Sequence, residues 1–300
     1  MRHVVIVVLG GLAALALSGC FDFDALRQPL DGSANGGDDM SLAGGDMTGA
    51  ADFAGSDGGG GLTPRLIAQA WYTDQTGFTY ASPGMTKTGF SIPTSGIVDG
   101  DLVLFIANID NGSDTIWPTP IAAGFTPIVQ KYFGSDGQTF VAAWKIANNE
   151  PTKYTGTYGG GNGSGSSVIA LIAVSGANSV MPIDHALGSY SMAAGTDPVN
   201  GSSPGFTTTA ANCTLILAGG VDWLGTNDAN TFTLPNGFTV LSQIGDHGSL
   251  TSPVSWDWTS QFVAWSTRTT PGATGAIDWS ANGTNTVMGI PWTVLIAVAP

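Results

Sequence analysis

Two apolar stretches, DLVLFIANID from Asp101 and CTLILAGGVD from Cys213, lie 112 residues apart and both end on aspartate. Four shorter matches accompany them: GFT at Gly124 and Gly237, FVA at Phe140 and Phe262, Thr-Gly at Thr155 and Thr274, and LIAV at Leu171 and Leu295. All five keep one order, at offsets between 112 and 124 residues. Ordered matches at a near-constant spacing mean that one unit occurs twice. A fold for this chain must therefore hold two like halves, about 64–178 and 179–300.

The unit is built from strands. In QTFVAAWKIA the residues Phe140, Ala142, Trp144 and Ile146 fall on one face, which is the two-residue period of a strand. Other runs, such as LIAQAWYT, SSVIALIAVSG and WTVLIAVAP, are separated by Gly, Asn, Asp and Pro. Glutamate occurs once, at Glu150, and lysine four times, so good helix formers are scarce. The pattern predicts an all-β jelly-roll β-sandwich with two pseudo-repeated halves over residues 64–300. Two arrangements satisfy it: one large sandwich with the halves related by an approximate twofold, or two small sandwiches in tandem. No Pro/Gly-rich linker interrupts LIAVSGANSVMPIDHALGSY between the halves, which favours the single sandwich.

The N-terminus gives an address. After Arg2 and His3, Val4 to Leu17 is an apolar run of 14 residues. A membrane-spanning helix needs about 20, so residues 1–19 read as a signal peptide. The run closes on Leu17-Ser18-Gly19-Cys20, which resembles the bacterial lipobox. The resemblance implies that Cys20 is acylated and becomes the first residue of a lipoprotein anchored in the cell envelope. The residue that follows is Phe21 rather than aspartate, and by the sorting rule of enteric bacteria this implies the outer membrane. Residues 20–63 carry eight aspartates against one basic residue, Arg27, in a Gly/Ala/Asp-rich stretch. Such a segment buries too little apolar surface to offset its ordering entropy. It reads as a disordered tether with a mean span of roughly 35 Å.

Within the domain, GDLVLF at Gly100-Asp101, GFTPI at Gly124-Phe125, WKIA at Lys145, YTGTY at Tyr154, SG at Ser175-Gly176 and PID at Pro182-Ile183-Asp184 occur in one order. This order resembles a secreted β-sandwich domain of bacterial surface proteins and phage tail fibres. The resemblance covers nearly all of residues 64–300 and implies display or binding, with no catalytic set to carry over.

The remaining residues narrow the chemistry. A formal net charge of -14 excludes nucleic acid as a partner. Beyond the signal peptide only His185 and His247 could serve as imidazole bases. His185 reads as a turn residue. Glu150, in ANNEPTK, reads as a loop residue rather than half of a hydrolytic pair. With Cys20 carrying lipid, Cys213 has no disulfide partner and reads as a buried thiol. Oxygen-rich loops are the better lead, and each bears a tryptophan, Trp117 or Trp223. NIDNGSDTIW holds Asp110, Asp114 and Trp117, and GVDWLGTNDAN holds Asp222, Trp223 and Asp228, at equivalent places in the two halves. Asp110, Asp114, Asp222 and Asp228 are candidate calcium ligands, although Asp and Asn are also ordinary turn residues. Trp117, Trp223, Trp256 and Trp258, with Asp110 and Asp222, are candidate ligand-binding residues, because aromatic rings beside polar groups suit sugars.

The expectation is a lipid-anchored surface protein displaying a β-sandwich binding or adhesion module for a glycan or a surface protein. The rivals are a polysaccharide-active enzyme and a purely structural envelope protein. The address has its own test. The Cys20→Ser chain is expected to take up no labelled palmitate and to leave the detergent phase on partitioning. A variant that retains acyl label would refute the lipobox reading.

Overall fold

The computed structural model describes residues 19–21, 62–75, 78–86, 88–110, 121–133, 138–157, 165–190, 199–224, 231–245, 248–249, 257–282 and 290–300. For Asp222, Trp223, Leu224, Asp257 and Trp258 the backbone alone is described. Among these residues every regular element is a strand. A short β1 (Gly19–Phe21) precedes the domain. The first half contributes β2 (Pro64–Gln75), β3 (Phe78–Ala81), β4 (Met85–Thr86), β5 (Gly89–Pro93), β6 (Leu102–Asp110), β7 (Thr126–Phe133), β8 (Gln138–Ile146), β9 (Lys153–Thr157) and β10 (Ser166–Val174). The second contributes β11 (Ile183–Tyr190), β12 (Val199–Ser203), β13 (Thr207–Thr208), β14 (Cys213–Leu224), β15 (Thr231–Thr233) and β16 (Thr239–Gly245). It ends with β17 (Gly248–Ser249), β18 (Asp257–Arg268), β19 (Gly272–Ala273), β20 (Ile277–Asn282) and β21 (Trp292–Val298).

The strand orders repeat. One large sheet runs β3-β2-β10-β6-β8-β7, and the other runs β1-β11-β21-β14-β18-β16-β17. With the end strands set aside, β2-β10-β6-β8-β7 matches β11-β21-β14-β18-β16 position for position. Each large sheet carries a small one on its outer face, β4-β5-β9 in the first half and β12-β20-β15 in the second. This is jelly-roll order, closed within each half. The bulges repeat as well: β7 slips against β8 between Pro127 and Val129, and β16 slips against β18 between Val240 and Ser242. The turn before each of these strands has a left-handed glycine, Gly124 at φ 84° and Gly237 at φ 87°, where a side chain would be strained.

Register tests the sequence matches one by one. Leu171 lies opposite Phe105 and Leu295 opposite Leu217, so LIAV and the DLVLFIANID pair superimpose. FVA does not. Ala143 lies opposite Phe105 and Ala264 opposite Leu217, which makes Trp144 the counterpart of Trp265 and shifts FVA by one residue. A one-residue shift reverses the face: Phe140 enters the core between the large sheets, and Phe262 the core under the outer sheet of its own half. Thr155-Gly156 lies inside β9, whereas Thr274-Gly275 lies between β19 and β20, with Gly275 left-handed at φ 72°. Those two matches do not mark equivalent structure.

The halves are joined face to face. β2 lies against β16 and β7 against β11, so each half presents the same surface to the other about an approximate twofold running between β6 and β14. The shared core holds Leu102, Leu104, Ile106 and Phe140 from one half with Ile216, Val263, Trp292 and Ile296 from the other. Phe140 and Trp292 stack, with centroids 5.0 Å apart and planes 5° from parallel. The arrangement is a β-sandwich of two repeated halves, in which no described strand crosses from one half into the sheets of the other. Because outer sheets cover the far faces, β6 and β10 are buried on both sides, and residues 102–107 and 168–174 are unbroken apolar runs for that reason.

The Gly219-Gly220 pair in β14 follows from the same layering. A Cβ on Gly219 would lie 2.9 Å from Trp279 in the outer core, and one on Gly220 would lie 2.9 Å from Trp292 in the central core. Each glycine makes room for an indole on its own face. Truncating the central stack by Phe140→Ala is expected to lower stability by about 3–5 kcal/mol. Unfolding followed by fluorescence and by circular dichroism should remain one coincident transition; two separated transitions would mean that each half folds alone.

Candidate functional site

The two ends of the sandwich differ. Pro64 pairs with Val174 and Leu102 with Ile146, so the chain enters the domain at the end where β6 begins. Leu62 is already in the core, and its carbonyl accepts a hydrogen bond of 2.8 Å from Thr214 Oγ1, which moves the tether boundary slightly N-terminal to 63. This is the tether end. β6 and β14 finish at the opposite, distal end, roughly 30 Å away for a nine-residue strand.

The motif residues Asp101, Lys145, Tyr154, Ser175 and Asp184 gather at the tether end and act as fasteners. Arg65 forms an ion pair with Asp101, donates 2.5 Å to Ser175 Oγ and donates 2.9 Å to the Gly96 carbonyl. Asp101 also accepts from Ser175 Oγ at 2.8 Å and from the Val98 amide at 2.8 Å. Asp184 accepts the Thr209 amide at 2.8 Å. Glu150 closes the turn after β8: Lys145 Nζ is 2.7 Å from Oε1, the Asn148 amide donates to Oε1 at 2.9 Å, and the Tyr154 hydroxyl donates to Oε2 at 2.5 Å. Burial alone would raise the pKa of Glu150, but the hydrogen bonds from Lys145, Tyr154 and Asn148 and the Lys145 charge hold it below its ordinary value. Burial, and then the Glu150 hydrogen bond and charge, push the Tyr154 phenol up.

A shallow cleft of about 510 Å³ opens beside this turn, lined by Thr94, Ser95, Asp99, Asn149, Glu150 and neighbours. Its acids are engaged in holding the turn, since Asp99 accepts the amide of left-handed Asn149 at 2.7 Å. They are not poised as a hydrolytic pair. Four large apolar side chains are exposed among the described residues, Val98, Val180, Met181 and Val240, and all four lie in turns or strand starts at this end.

At the distal end the central core turns polar. Asn108 Nδ2 donates to the Val221 carbonyl (3.2 Å) and the Ser260 carbonyl (3.3 Å) of the other half, and Gln138 Nε2 donates to Asn108 Oδ1 (3.0 Å). The Ser166 and Thr259 hydroxyls meet at 2.7 Å across the sheets. Asp110, buried, lies opposite Ser166 on one side and Gln138 on the other. Its counterpart Asp222 lies opposite Thr259. Both aspartates end strands rather than sit in loops, and so does Trp223, because β14 continues to Leu224. The pairs Asp222–Thr259 and Leu224–Asp257 bracket Trp223 and Trp258, which makes these two tryptophans cross-strand neighbours. That adjacency is invisible to a reading that takes each motif alone. Trp117, Trp256, Asp114 and Asp228 fall outside the described residues. The other tryptophans with described side chains go elsewhere: Trp279 and Trp292 are core residues, Trp144 and Trp265 pack against the central core, and Trp71 is half-buried in β2. Among the described residues no group of three or more His, Cys, Asp or Glu side chains gathers to hold a metal.

Two single-residue expectations resolve differently. His185 lies in β11 at a bulge, its ring 5.3 Å from Phe206, and is a strand residue rather than a turn residue. Cys213 is a buried free thiol that donates to the Ala210 carbonyl at 3.1 Å. Burial and then the Asp184 charge raise its pKa to about 11, which keeps it protonated and unreactive. Cys20 pairs in β1 with Ser189 of β11, next to Gly19 opposite Tyr190.

Compared with known proteins, the chain matches no family model, no curated protein and no solved structure. The class it defines is therefore structural: a chain of two jelly-roll halves joined through their large sheets.

Cys213 should resist alkylation in the native protein at mildly alkaline pH and react fully in denaturant; rapid native labelling would contradict its burial. Glu150, with its folded pKa depressed, contributes stability that is present above its ordinary pKa of 4.5 and is lost as pH falls through the folded value. Glu150→Gln should flatten the acid limb of the melting-temperature profile, and an unchanged acid limb would count against this role.

Proposed function

We propose that the protein is a lipid-anchored display protein of the bacterial cell envelope, at the outer membrane, whose distal end binds a glycan. The observation that carries the reading is the cross-strand placement of Trp223 beside Trp258 at the end farthest from the tether, immediately beyond Asp222 and Thr259. Sugar rings stack on indoles and hydrogen-bond to neighbouring carboxylates and amides. In the sequence Trp117 follows β6 and Trp256 immediately precedes β18.

The test is a glycan array followed by affinity and melting measurements on Trp117→Ala, Trp223→Ala and Trp258→Ala. Each is expected to weaken binding by about 1–3 kcal/mol, with a much smaller loss of stability than the roughly 3–5 kcal/mol of a core tryptophan. Shortening of bound glycans on incubation would favour a polysaccharide-active enzyme. An array without signal would favour a structural envelope protein.

A further inference from the structure

We infer that the distal end of the central core holds a calcium ion between the two halves, bound by Asp110, Gln138 and the paired hydroxyls of Ser166 and Thr259. Register places these groups together. Thr73, Ser166, Asp110 and Gln138 form one row across β2, β10, β6 and β8, each directly opposite the next. Directly opposite residues have Cβ atoms about 4.5–5.5 Å apart. The row faces the other half, because Asp110 continues the inward column of Leu102, Leu104 and Ile106 and Ser166 reaches Thr259 across the gap.

The independent observation is a set of oxygens without partners. Gln138 and Thr73 are fully buried, yet Gln138 Oε1 and Thr73 Oγ1 have no hydrogen-bond partner. Gln138 Nε2 is committed to Asn108, one pair further into the core, which turns Oε1 back toward Asp110 at the distal end. Gln261 Oε1, from the facing sheet, is unpartnered as well, and the unpartnered donors are the Thr73 hydroxyl and the Trp292 indole. A buried amide oxygen without a donor beside a carboxylate is unfavourable alone, and a cation would match it.

The donor set selects the ion. Every group is a hard oxygen, carboxylate, amide or hydroxyl, as calcium takes, and among the described residues no imidazole or thiolate joins them for zinc. An ion here would tie the halves together beneath the Trp223–Trp258 pair. The site does not depend on the glycan reading, because it is defined by the core beneath that end.

The test uses Ca²⁺ alone, without glycan, on the chelator-stripped full chain in detergent. Titration calorimetry is expected to give one ion per chain, with weaker binding of Mg²⁺. Free Ca²⁺ at about a hundredfold over Kd should raise Tm by roughly 5 °C or more. Asp110→Asn and Gln138→Met should each weaken binding by about tenfold or more. Gln138→Met leaves the carboxylate in place and carries the test if Asp110→Asn does not fold. No Ca²⁺ binding and no Tm shift in the parent protein would overturn the site and leave the layer to water. Binding unchanged in both variants would place the ion elsewhere and overturn it equally.

Discussion

The stacking of one large sheet on the other is the contact on which the rest depends. Each sheet has an apolar face that its own outer sheet does not cover, made in the first half by Leu102, Leu104, Ile106, Phe140 and Ile172. At about 25 cal/mol per Å² such a face is a large liability in water, and only the like face of the other half covers it. The outer sheets then complete four layers, and the central strands lose all contact with solvent. This accounts for a composition that looks extreme for a soluble domain. Apolar residues make up 43% of the chain and charged residues 10%, because two layers of strand are interior on both sides.

A purely apolar interface between two twisted sheets fixes their separation better than their register. The polar layer at the distal end supplies the register. Asn108 bonds two carbonyls of the other half, and those carbonyls belong to adjacent strands, β14 and β18. A slide of one residue along the strands would break both bonds and leave the Asn108 amide buried without acceptors, at about 1–3 kcal/mol for each lost partner. At the tether end, Thr214 on Leu62 gives a second fixed point. The halves are held by apolar area and positioned by a few polar contacts, a division that buried networks serve well when their members are satisfied.

The strand pattern was legible because burial in a sheet leaves a two-residue or continuous apolar signature, and QTFVAAWKIA and SSVIALIAVSG carry it plainly. The duplication was legible where packing on both faces restricts residue type, as in LIAV. It misled at FVA, where the letters match but the pairing differs by one. Alternation reverses the face at every residue, and a tripeptide cannot report which face it sits on. The reading of Trp223 as a loop residue failed for a related reason. Asp and Trp after an apolar run suggest a turn, yet β14 continues through them because β18 continues beside it. Strand ends are set by the partner strand, and that information lies some 35 residues further along the chain. Glu150 looked like an ordinary loop acid; its burial with Lys145 and Tyr154 could be found only from the fold, although all three lie within ten residues.

The same layering explains why the motif residues between Gly100 and Asp184 say little about activity. Gly100-Asp101, Lys145, Tyr154, Ser175 and Asp184 fasten turns at the tether end, through Arg65, Glu150 and Thr209. Those turns connect strands whose faces are already committed to cores, so their residues answer to the fold. At the distal end β6 finishes on Asp110 and β14 runs out through Asp222 and Trp223, none of which an apolar sandwich requires. Carboxylates and indoles placed at strand ends, over a core layer that has itself become polar, are a departure from what packing selects. Departures of this kind concentrate where a surface has work other than holding the fold together. The asymmetry between a fastened end and a polar, aromatic end is therefore the feature of this sandwich that points to function, and it arises twice because the unit that carries it is repeated.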